Sequence, residues 1–397
     1  MTTPTSTRPR TIGFWVVAIA FLLVMAYSTV PTPLYPLYQQ EDGFPVATIT
    51  VIFAAYAVGV VASLFLLGHV SDWMGRRRML VIAVLVSTLS AVLFMVFTDV
   101  AGLLVARVIN GVSIGVLTAT ATAHLSELRA RARPEENSIV AASVAGGANL
   151  GGLALGPLLG GVFADFFPDP LHLPHTVFAI VLILLAVALT LVPETVTVAP
   201  RAYRPQRIAV PATSRSAFVA AGFAAFAGFA LFGMFTSLAP SILIGTFELT
   251  DHLVAGLTVF AVFGSAAAAQ VVLASVPRRT QLLFAAIACG LGLAAIALGA
   301  VLALFALFII GGVIGGAGVG ALFKCSLAVA GELAEDGRRG ETLAAIFLVA
   351  YCGLALPVLA IGAALSFAPQ LVVLLVFVVV VGVVTVTAAL RMRHQSR

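Results

Sequence analysis

The sequence has little charge and almost no lysine. Only 9% of its 397 residues are charged, whereas an ordinary soluble domain has about 25%. Of the 21 lysine and arginine residues, Lys324 is the sole lysine, and Phe323 precedes it. The chain therefore contains no GxxxxGK[ST] phosphate-binding loop, and an ATP-driven activity would require another subunit.

Cysteine is also scarce. Cys289, Cys325 and Cys352 all lie in apolar stretches, where they suit packing better than disulfides or metal binding. The histidines are scattered, and His172 and His175 lie beside prolines in a stretch that we interpret as an external loop. The sequence thus predicts no metal site and no cofactor, and it gives no indication of an enzyme.

Apolar residues dominate the chain, at 61%. A soluble protein of this composition could not cover its surface with polar groups, so most of the chain must face lipid. A hydrocarbon core about 30 Å thick requires about 20 apolar helical residues. Twelve such segments are predicted, near 12–34, 46–67, 79–98, 100–124, 138–163, 175–192, 217–243, 253–275, 281–300, 303–330, 342–365 and 369–390. No charged residue separates span nine from span ten or span eleven from span twelve. Turns are predicted there, near 299–303 and 366–369.

The basic residues predict the orientation. Every arginine except Arg107 lies near a terminus or in a hinge that follows an even-numbered span, and the other hinges carry acids and histidines. Because arginine favours cytoplasmic loops, both termini are predicted to be cytoplasmic, in a multi-pass protein of the cell membrane. The net charge of +5 is spread over short hinges, which argues against nucleic-acid binding.

A polar segment, 193–216, divides the chain into an N-terminal six-helix bundle, 1–192, and a C-terminal six-helix bundle, 217–397. The halves resemble each other: "MAYSTVPTPL" in span one matches "MFTSLAPSIL" in span seven, and 127–136 matches 332–341. The sequence therefore predicts an all-α membrane protein of two pseudo-symmetric bundles, as in transporters built from parallel repeats.

The hinge "GHVSDWMGRRRML" (68–80) resembles the signature between spans two and three of the major facilitator superfamily of secondary transporters. The match rests on Gly68, Asp72, Gly75, Arg76 and Arg77. The resemblance implies a latch that holds the cytoplasmic side shut, with Asp72 at the start of span eleven near Thr342. Glu127 and Glu194 are our candidate partners for the arginines. The alternative is that the arginines only fix the topology.

Span five contains G-x-x-x-G-P-x-x-G-G, formed by Gly152, Gly156, Pro157, Gly160 and Gly161. Small residues four apart let helices approach closely, and proline permits a kink. The string is similar to the span-five signature of the superfamily's drug–proton antiporters, which implies export.

Arg107 in span four resembles a family arginine that is implicated in proton coupling. A charge at that depth is costly and normally faces a cavity or a partner. Because no acid lies at mid-depth in any span, proton coupling follows from the resemblance alone. His124 is a candidate proton relay, and Lys324 either snorkels or binds a substrate or counter-anion.

The spans that line the central path in this family contain several polar and aromatic residues. For each residue there are two interpretations, direct contact with the substrate or packing and hydrogen bonding between helices. The candidates are Tyr27, Asn110, Asn149, Phe235, Gln270 and Tyr351.

We therefore expect a monomeric transporter that exports amphiphilic organic compounds in exchange for protons, with an apolar cavity. The alternative is a proton-coupled importer of a small nutrient or organic anion, for which Arg107 and Lys324 would suit a carboxylate.

Overall fold

The computed structural model describes residues 7–136, 139–198, 203, 205, 215–334 and 339–395. These residues form helices and connecting turns, with no strand among them. The helices are α1 (Thr7–Thr29), a 3-10 turn (Thr32–Leu34), α2 (Tyr35–Asp42), α3 (Val46–Leu67), α4 (Ser71–Met74), α5 (Arg76–Val96), α6 (Val100–Ala132), α7 (Ile139–Phe166), α8 (Leu173–Thr190), α9 (Arg215–Phe247), α10 (His252–Val272), α11 (Arg278–Val301), α12 (Phe305–Leu333), α13 (Arg339–Ala364) and α14 (Gln370–Gln395).

Twelve of the described helical segments are long and apolar enough to cross a membrane, as predicted. Both uncharged turns are confirmed: Leu302–Leu304 separates α11 from α12, and residues 365–369 separate α13 from α14. Most of the predicted linker lies outside the described residues.

The first span is longer than predicted. It continues past residue 34 through the 3-10 turn and α2 to Asp42, a run of 35 residues from Arg8. Pro33 and Pro36 are the second residues of the two added segments, in the first turn, where a proline costs no helical hydrogen bond. These prolines therefore redirect the helix instead of ending it.

The helices of the two parts of the chain pair in the same way. In the first part α1 packs on α7, α3 on α6, and α5 on both α6 and α8. In the second part the corresponding pairs are α9 with α13, α10 with α12, and α11 with α12 and α14. The two parts meet along α7 with α10 and α3 with α13, which are themselves corresponding pairs.

The two ends of this assembly differ in charge. We call the end that contains Arg76, Glu127 and Glu194 the basic end, and the end that contains Asp165 and His252 the acidic end. The first and last described helices both reach the basic end, where Arg10 donates a 3.1 Å hydrogen bond to the Arg131 carbonyl. There Gln395, at the end of α14, contacts Ser216 at the start of α9.

Candidate functional site

A cavity lies between the two parts of the protein at mid-depth. It is nearly closed, with about 30 Å³ of open space, and seven helices line it, α1, α3, α7, α9, α10, α12 and α13. The lining side chains are Ser28, Thr29, Phe53, Tyr56, Asn149, Leu153, Phe229, Phe232, Thr236, Phe263, Phe323, Phe347, Tyr351 and Leu354. Because both parts contribute, any movement of one part against the other changes the shape of the cavity.

Aromatic rings form most of the lining. Phe232 stacks on Phe263 with centroids 4.3 Å apart, and Phe229 meets Phe323 at 4.7 Å. Tyr56 and Tyr351 approach each other across the interface at 6.4 Å. Such rings bind apolar and cationic organic groups through their area and their negative faces.

The polar groups of the cavity are few and uncharged. The hydroxyl groups of Ser28 and Thr236 donate to carbonyls of their own helices, at 2.7 Å each. The Asn149 amide has no hydrogen-bond partner among the described residues. No charged side chain belongs to the described lining. The cavity therefore offers a ligand mainly aromatic contact and one free amide.

Arg107 lies behind this cavity, fully buried. Its guanidinium donates to the Tyr35 hydroxyl, from Nε at 2.8 Å and also from a terminal nitrogen, and to the Ser28 carbonyl at 2.6 Å. It also lies over the rings of Tyr35 and Tyr56, at 5.3 and 6.0 Å. Arg107 thus contacts two cavity-lining residues, Ser28 and Tyr56. The groups around its guanidinium are a hydroxyl, a carbonyl and aromatic ring faces.

His175 lies beside Arg107, and this corrects its placement in a loop. It belongs to α8 and is fully buried, with Tyr27 Oη 3.1 Å from Nδ1 and Tyr38 Oη 3.0 Å from Nε2. Its ring stacks on Phe94 at 4.8 Å, and Arg107 lies over the same Phe94. Sequence reasoning missed this histidine because neighbouring prolines suggested a loop, although Pro174 occupies the first turn of α8.

The charged residues at the basic end form one network. Arg76 pairs with Glu127 at 3.0 Å and with Asp72 at 2.6 Å. Glu194 accepts from the backbone N–H groups of Arg76 and Arg77, at 3.0 and 3.1 Å, and so stabilises the positive end of α5. Glu127 therefore pairs with the Arg76 guanidinium, whereas Glu194 contacts only backbone N–H groups of the two arginines.

This network belongs to the first part of the chain. Asp72 makes its ion pair with Arg76, four residues on. Gly68 caps α3 with ordinary helical dihedrals. Gly75 has φ +106°, which favours glycine, and a side chain there would meet Glu194 Oε2 at 2.7 Å. The role of the network as a latch stays a prediction.

The two predicted coupling residues other than Arg107 lie nearer the basic end. His124 is buried, and its Nδ1 lies 2.8 Å from Thr195 Oγ1; that hydroxyl in turn donates to Glu127. Lys324 Nζ donates to the Gln270 carbonyl at 3.0 Å. Neither side chain lines the cavity.

The structure separates the six predicted cavity residues. Asn149 and Tyr351 line the cavity, and Gln270 lies at the α7–α10 interface, near Gly146. The other three are elsewhere. Tyr27 packs on His175, Phe235 packs on Phe308, and the buried Asn110 amide has no partner in the described structure. In this conformation these three side chains lie outside the described lining, and their contact with a substrate stays a prediction.

The glycine motif of α7 brings helices together. A side chain at Gly152 or Gly156 would overlap α1, and at Gly160 it would overlap Val30 and Pro33. A side chain at Gly161 would meet the start of α10, with the His252 carbonyl at 2.6 Å. Pro157 lies within the helix, and its carbonyl is against Gly256 of α10.

An acidic-end contact that the sequence did not reveal joins the two parts. Asp165 of α7 accepts from the backbone N–H groups of Leu253 and His252, at 2.7 and 3.3 Å, and lies 2.9 Å from His252 Nδ1. At the other interface of this end, a side chain at Gly362 of α13 would overlap Thr50 of α3. The two parts of the protein are therefore in direct contact at the acidic end.

Comparison with known proteins adds relatives to this geometry. Residues 17–307 match the sequence profile of the Major Facilitator Superfamily. The inner membrane transport protein YnfM of Escherichia coli is 28% identical over 135 residues, 34% of this chain and 31% of that protein. The puromycin resistance protein pur8 of Streptomyces alboniger is 30% identical over 154 residues, 39% of this chain and 30% of that protein. The chain thus aligns with about a third of the length of each of these relatives.

Two solved structures superpose on nearly the full length of this chain. The human organic anion transporter MFSD10 superposes with a TM-score of 0.71 at 17% identity, covering 97% of this chain and 99% of its own. A bacterial homologue of the human lysosomal transporter Spinster gives 0.70 at 16% identity, covering 100% and 98%. At this level of identity the likeness establishes the fold.

Proposed function

The chain belongs to the Major Facilitator Superfamily of membrane transporters, and we propose that it exports amphiphilic organic compounds in exchange for protons. In this proposal the bundles 1–192 and 217–397, joined by the linker 193–216, rock against each other and expose the central cavity to each side in turn. The basic end faces the cytoplasm, because arginine favours that side of the cell membrane.

The observation that carries the proposal is the uncharged aromatic cavity. In this conformation the cavity is nearly closed, with about 30 Å³ of open space, room for about two water molecules. In this proposal a drug-sized compound binds once the two parts move apart and the cavity widens. A lining of rings with few polar groups binds by area, so it accepts compounds of varied shape. The name of the puromycin resistance relative supports export of such a compound.

Import of an organic anion is the competing function. It would require a cation that faces the path of the substrate. In this conformation the Arg107 guanidinium is occupied by Tyr35 and Ser28, and Lys324 donates to the Gln270 carbonyl. Export of neutral or cationic compounds fits the described lining better.

The charged network at the basic end has a supporting role in this proposal. Arg76, Glu127, Asp72 and Glu194 hold the hinge between α3 and α5 against α6 and the end of α8. The Arg76 side chain is buried and its partners are partly exposed. In this proposal the network fixes the shape of the hinge that, as a latch, would meet the start of span eleven.

The test is a susceptibility panel in a host that lacks its own efflux pumps, with puromycin and ethidium as the first probes. Expression should raise the tolerated concentration, and collapse of the proton gradient should abolish the gain. Phe229→Ala, which removes one ring of the cavity lining, should reduce the gain. Phe223→Ala should not, because Phe223 lies on the same helix but is 57% exposed. In liposomes, proton movement opposite to the substrate indicates antiport.

Sensitivity equal to the empty host across the panel would contradict export. Proton movement in the same direction as a carboxylate probe would favour the importer instead.

A further inference from the structure

We propose that His175 is the site that binds and releases the coupling proton, an inference that rests on the proposed proton exchange. His175 is placed in none of the sequence signatures that the chain shares with its family. In the folded chain it lies near Arg107, and its hydrogen-bond partner Tyr27 directly precedes Ser28 of the cavity lining.

The buried interior offers few other carriers. No aspartate or glutamate is among the buried side chains of the described structure. Arginine stays charged in proteins, so Arg107 cannot itself release the proton. Lys324 and His124 lie toward the basic end, and His124 is tied to the Thr195–Glu127 part of the charged network there.

The hydrogen bonds of His175 fit both protonation states. A neutral imidazole has one N–H donor and one acceptor nitrogen, and an imidazolium has two donors. Both nitrogens here face tyrosine hydroxyls, Tyr27 at 3.1 Å and Tyr38 at 3.0 Å, which can each donate or accept. Gain or loss of a proton therefore requires rotation of a tyrosine hydroxyl group, and both contacts to His175 are kept.

The two tyrosines lead in opposite directions. Tyr38 is in α2, one turn before the exposed Glu41 at the acidic end. Tyr27 is followed in α1 by Ser28, which lines the cavity. In this proposal a proton from the acidic side reaches His175 by way of Tyr38. The new charge on His175 then lies next to Tyr27, which precedes Ser28 of the cavity lining.

The charge on His175 would act on Arg107. Both side chains contact Phe94, and Arg107 connects the end of α1, through the Ser28 carbonyl, to the start of α2, through the Tyr35 hydroxyl. A second positive charge at this place repels the guanidinium and weakens those bonds. The junction of α1 and α2 packs against α9 and α10 of the other part, so this change reaches the contact at the acidic end.

The groups that face His175 come from four neighbouring helices and from the turn before α8. They are Tyr27 of α1, Tyr38 of α2, Phe94 of α5 and Arg107 of α6, together with the His172–Asp169 pair just before α8, 2.6 Å apart. Of these groups Arg107 is the one that is buried and always charged. Protonation of His175 therefore creates a repulsion with this one guanidinium.

The experiment uses His175→Gln in the full chain, reconstituted in liposomes with the probe that the panel selects, puromycin or ethidium. Glutamine keeps a donor and an acceptor but does not titrate. We expect loss of proton movement and loss of the pH dependence of transport, whereas exchange of labelled against unlabelled probe at equal pH continues. His172→Gln, on the half-exposed neighbour, should keep the wild-type behaviour throughout.

Each result has one meaning. If wild type moves the probe without protons, the proposed proton exchange fails, and this inference fails with it. If wild type and His175→Gln are coupled alike, only the inference fails. Loss of probe exchange in His175→Gln also overturns it, because the residue would then serve binding or folding.

Tyr38→Phe provides a second variant in case His175→Gln does not fold. It removes only the hydroxyl on the acidic side of His175. Proton-coupled transport should slow while probe exchange at equal pH stays unchanged. An unchanged coupled rate would contradict the proposed route.

Discussion

Arg107 shows how a single charge is accommodated in a membrane interior without a carboxylate. A guanidinium has five N–H donors and no acceptor. Here its donors meet the Tyr35 hydroxyl and the Ser28 carbonyl, and aromatic rings lie against it. The sequence predicted that this arginine needs a partner, but it could not indicate Tyr35, because the partner depends on the redirected helix after Pro31.

Tyr35→Phe tests that arrangement. The variant keeps the ring over Arg107 but removes the oxygen that accepts two of its N–H groups. Because unpaired buried donors cost about 1–3 kcal/mol, and more when charged, the free energy of unfolding should fall by at least that amount. The measurement is the melting temperature of the purified protein in detergent. Tyr203→Phe, whose hydroxyl is exposed, should shift it little; equal shifts would contradict the role of Tyr35.

At the scale of helices, the close crossings are set by glycine. Gly156 of α7 lies against Ala26 and Thr29 of α1, so that a side chain would overlap the Ala26 carbonyl and the Thr29 hydroxyl. Gly147 of the same helix has open space around the position of a side chain. The two glycines lie in the same helix and differ in what they face.

Gly156→Ala should therefore force α1 and α7 apart, whereas Gly147→Ala should be tolerated. Overpacking of this kind typically costs about 1–3 kcal/mol. Yield of monodisperse protein and melting temperature both measure the effect, and transport by the Gly156→Ala protein should be lost or strongly reduced. Equal behaviour of the two variants would show that the crossing can relax.

The helices themselves were largely predictable, since each span depends on local composition and length. The turn near 299–303 followed from the rise of about 1.5 Å per residue, which makes residues 281–330 too long for one crossing. The turn near 366–369 followed from its serine and proline. What local sequence could not supply was which face of a helix meets which neighbour. Tyr27, Phe235 and His175 illustrate this, because the side chains around them come from helices distant in the chain.

At the scale of the whole molecule, the repeated pairing of helices leaves two equivalent interfaces between the parts, α7 with α10 and α3 with α13. Both ends of the protein use a carboxylate at a helix start. Glu194 caps α5 within the first part, whereas Asp165 of α7 caps α10 of the second. The acidic-end cap is the one that must break when the two parts separate there.

Asp165→Asn should accordingly shift the protein toward a form that is open at the acidic end. The amide is uncharged and loses the attraction to the positive start of α10, which is worth about 0.3–2 kcal/mol. Spin labels at Gln40 and Phe367, exposed positions in the two parts, would report the separation by pulsed electron resonance after Cys289, Cys325 and Cys352 are replaced by alanine.

The population at longer label distance should rise in Asp165→Asn and stay at the wild-type level in Asp169→Asn, whose carboxylate pairs with His172 in the first part alone. Asn tolerates the positive φ of residue 169, so this control keeps the local backbone. Identical distance distributions in wild type and Asp165→Asn would mean that the glycine crossings, and not the helix cap, hold the acidic end closed. In that case Gly161 and Gly362, which bring α7 to α10 and α3 to α13, become the positions at which the exchange between conformations is controlled.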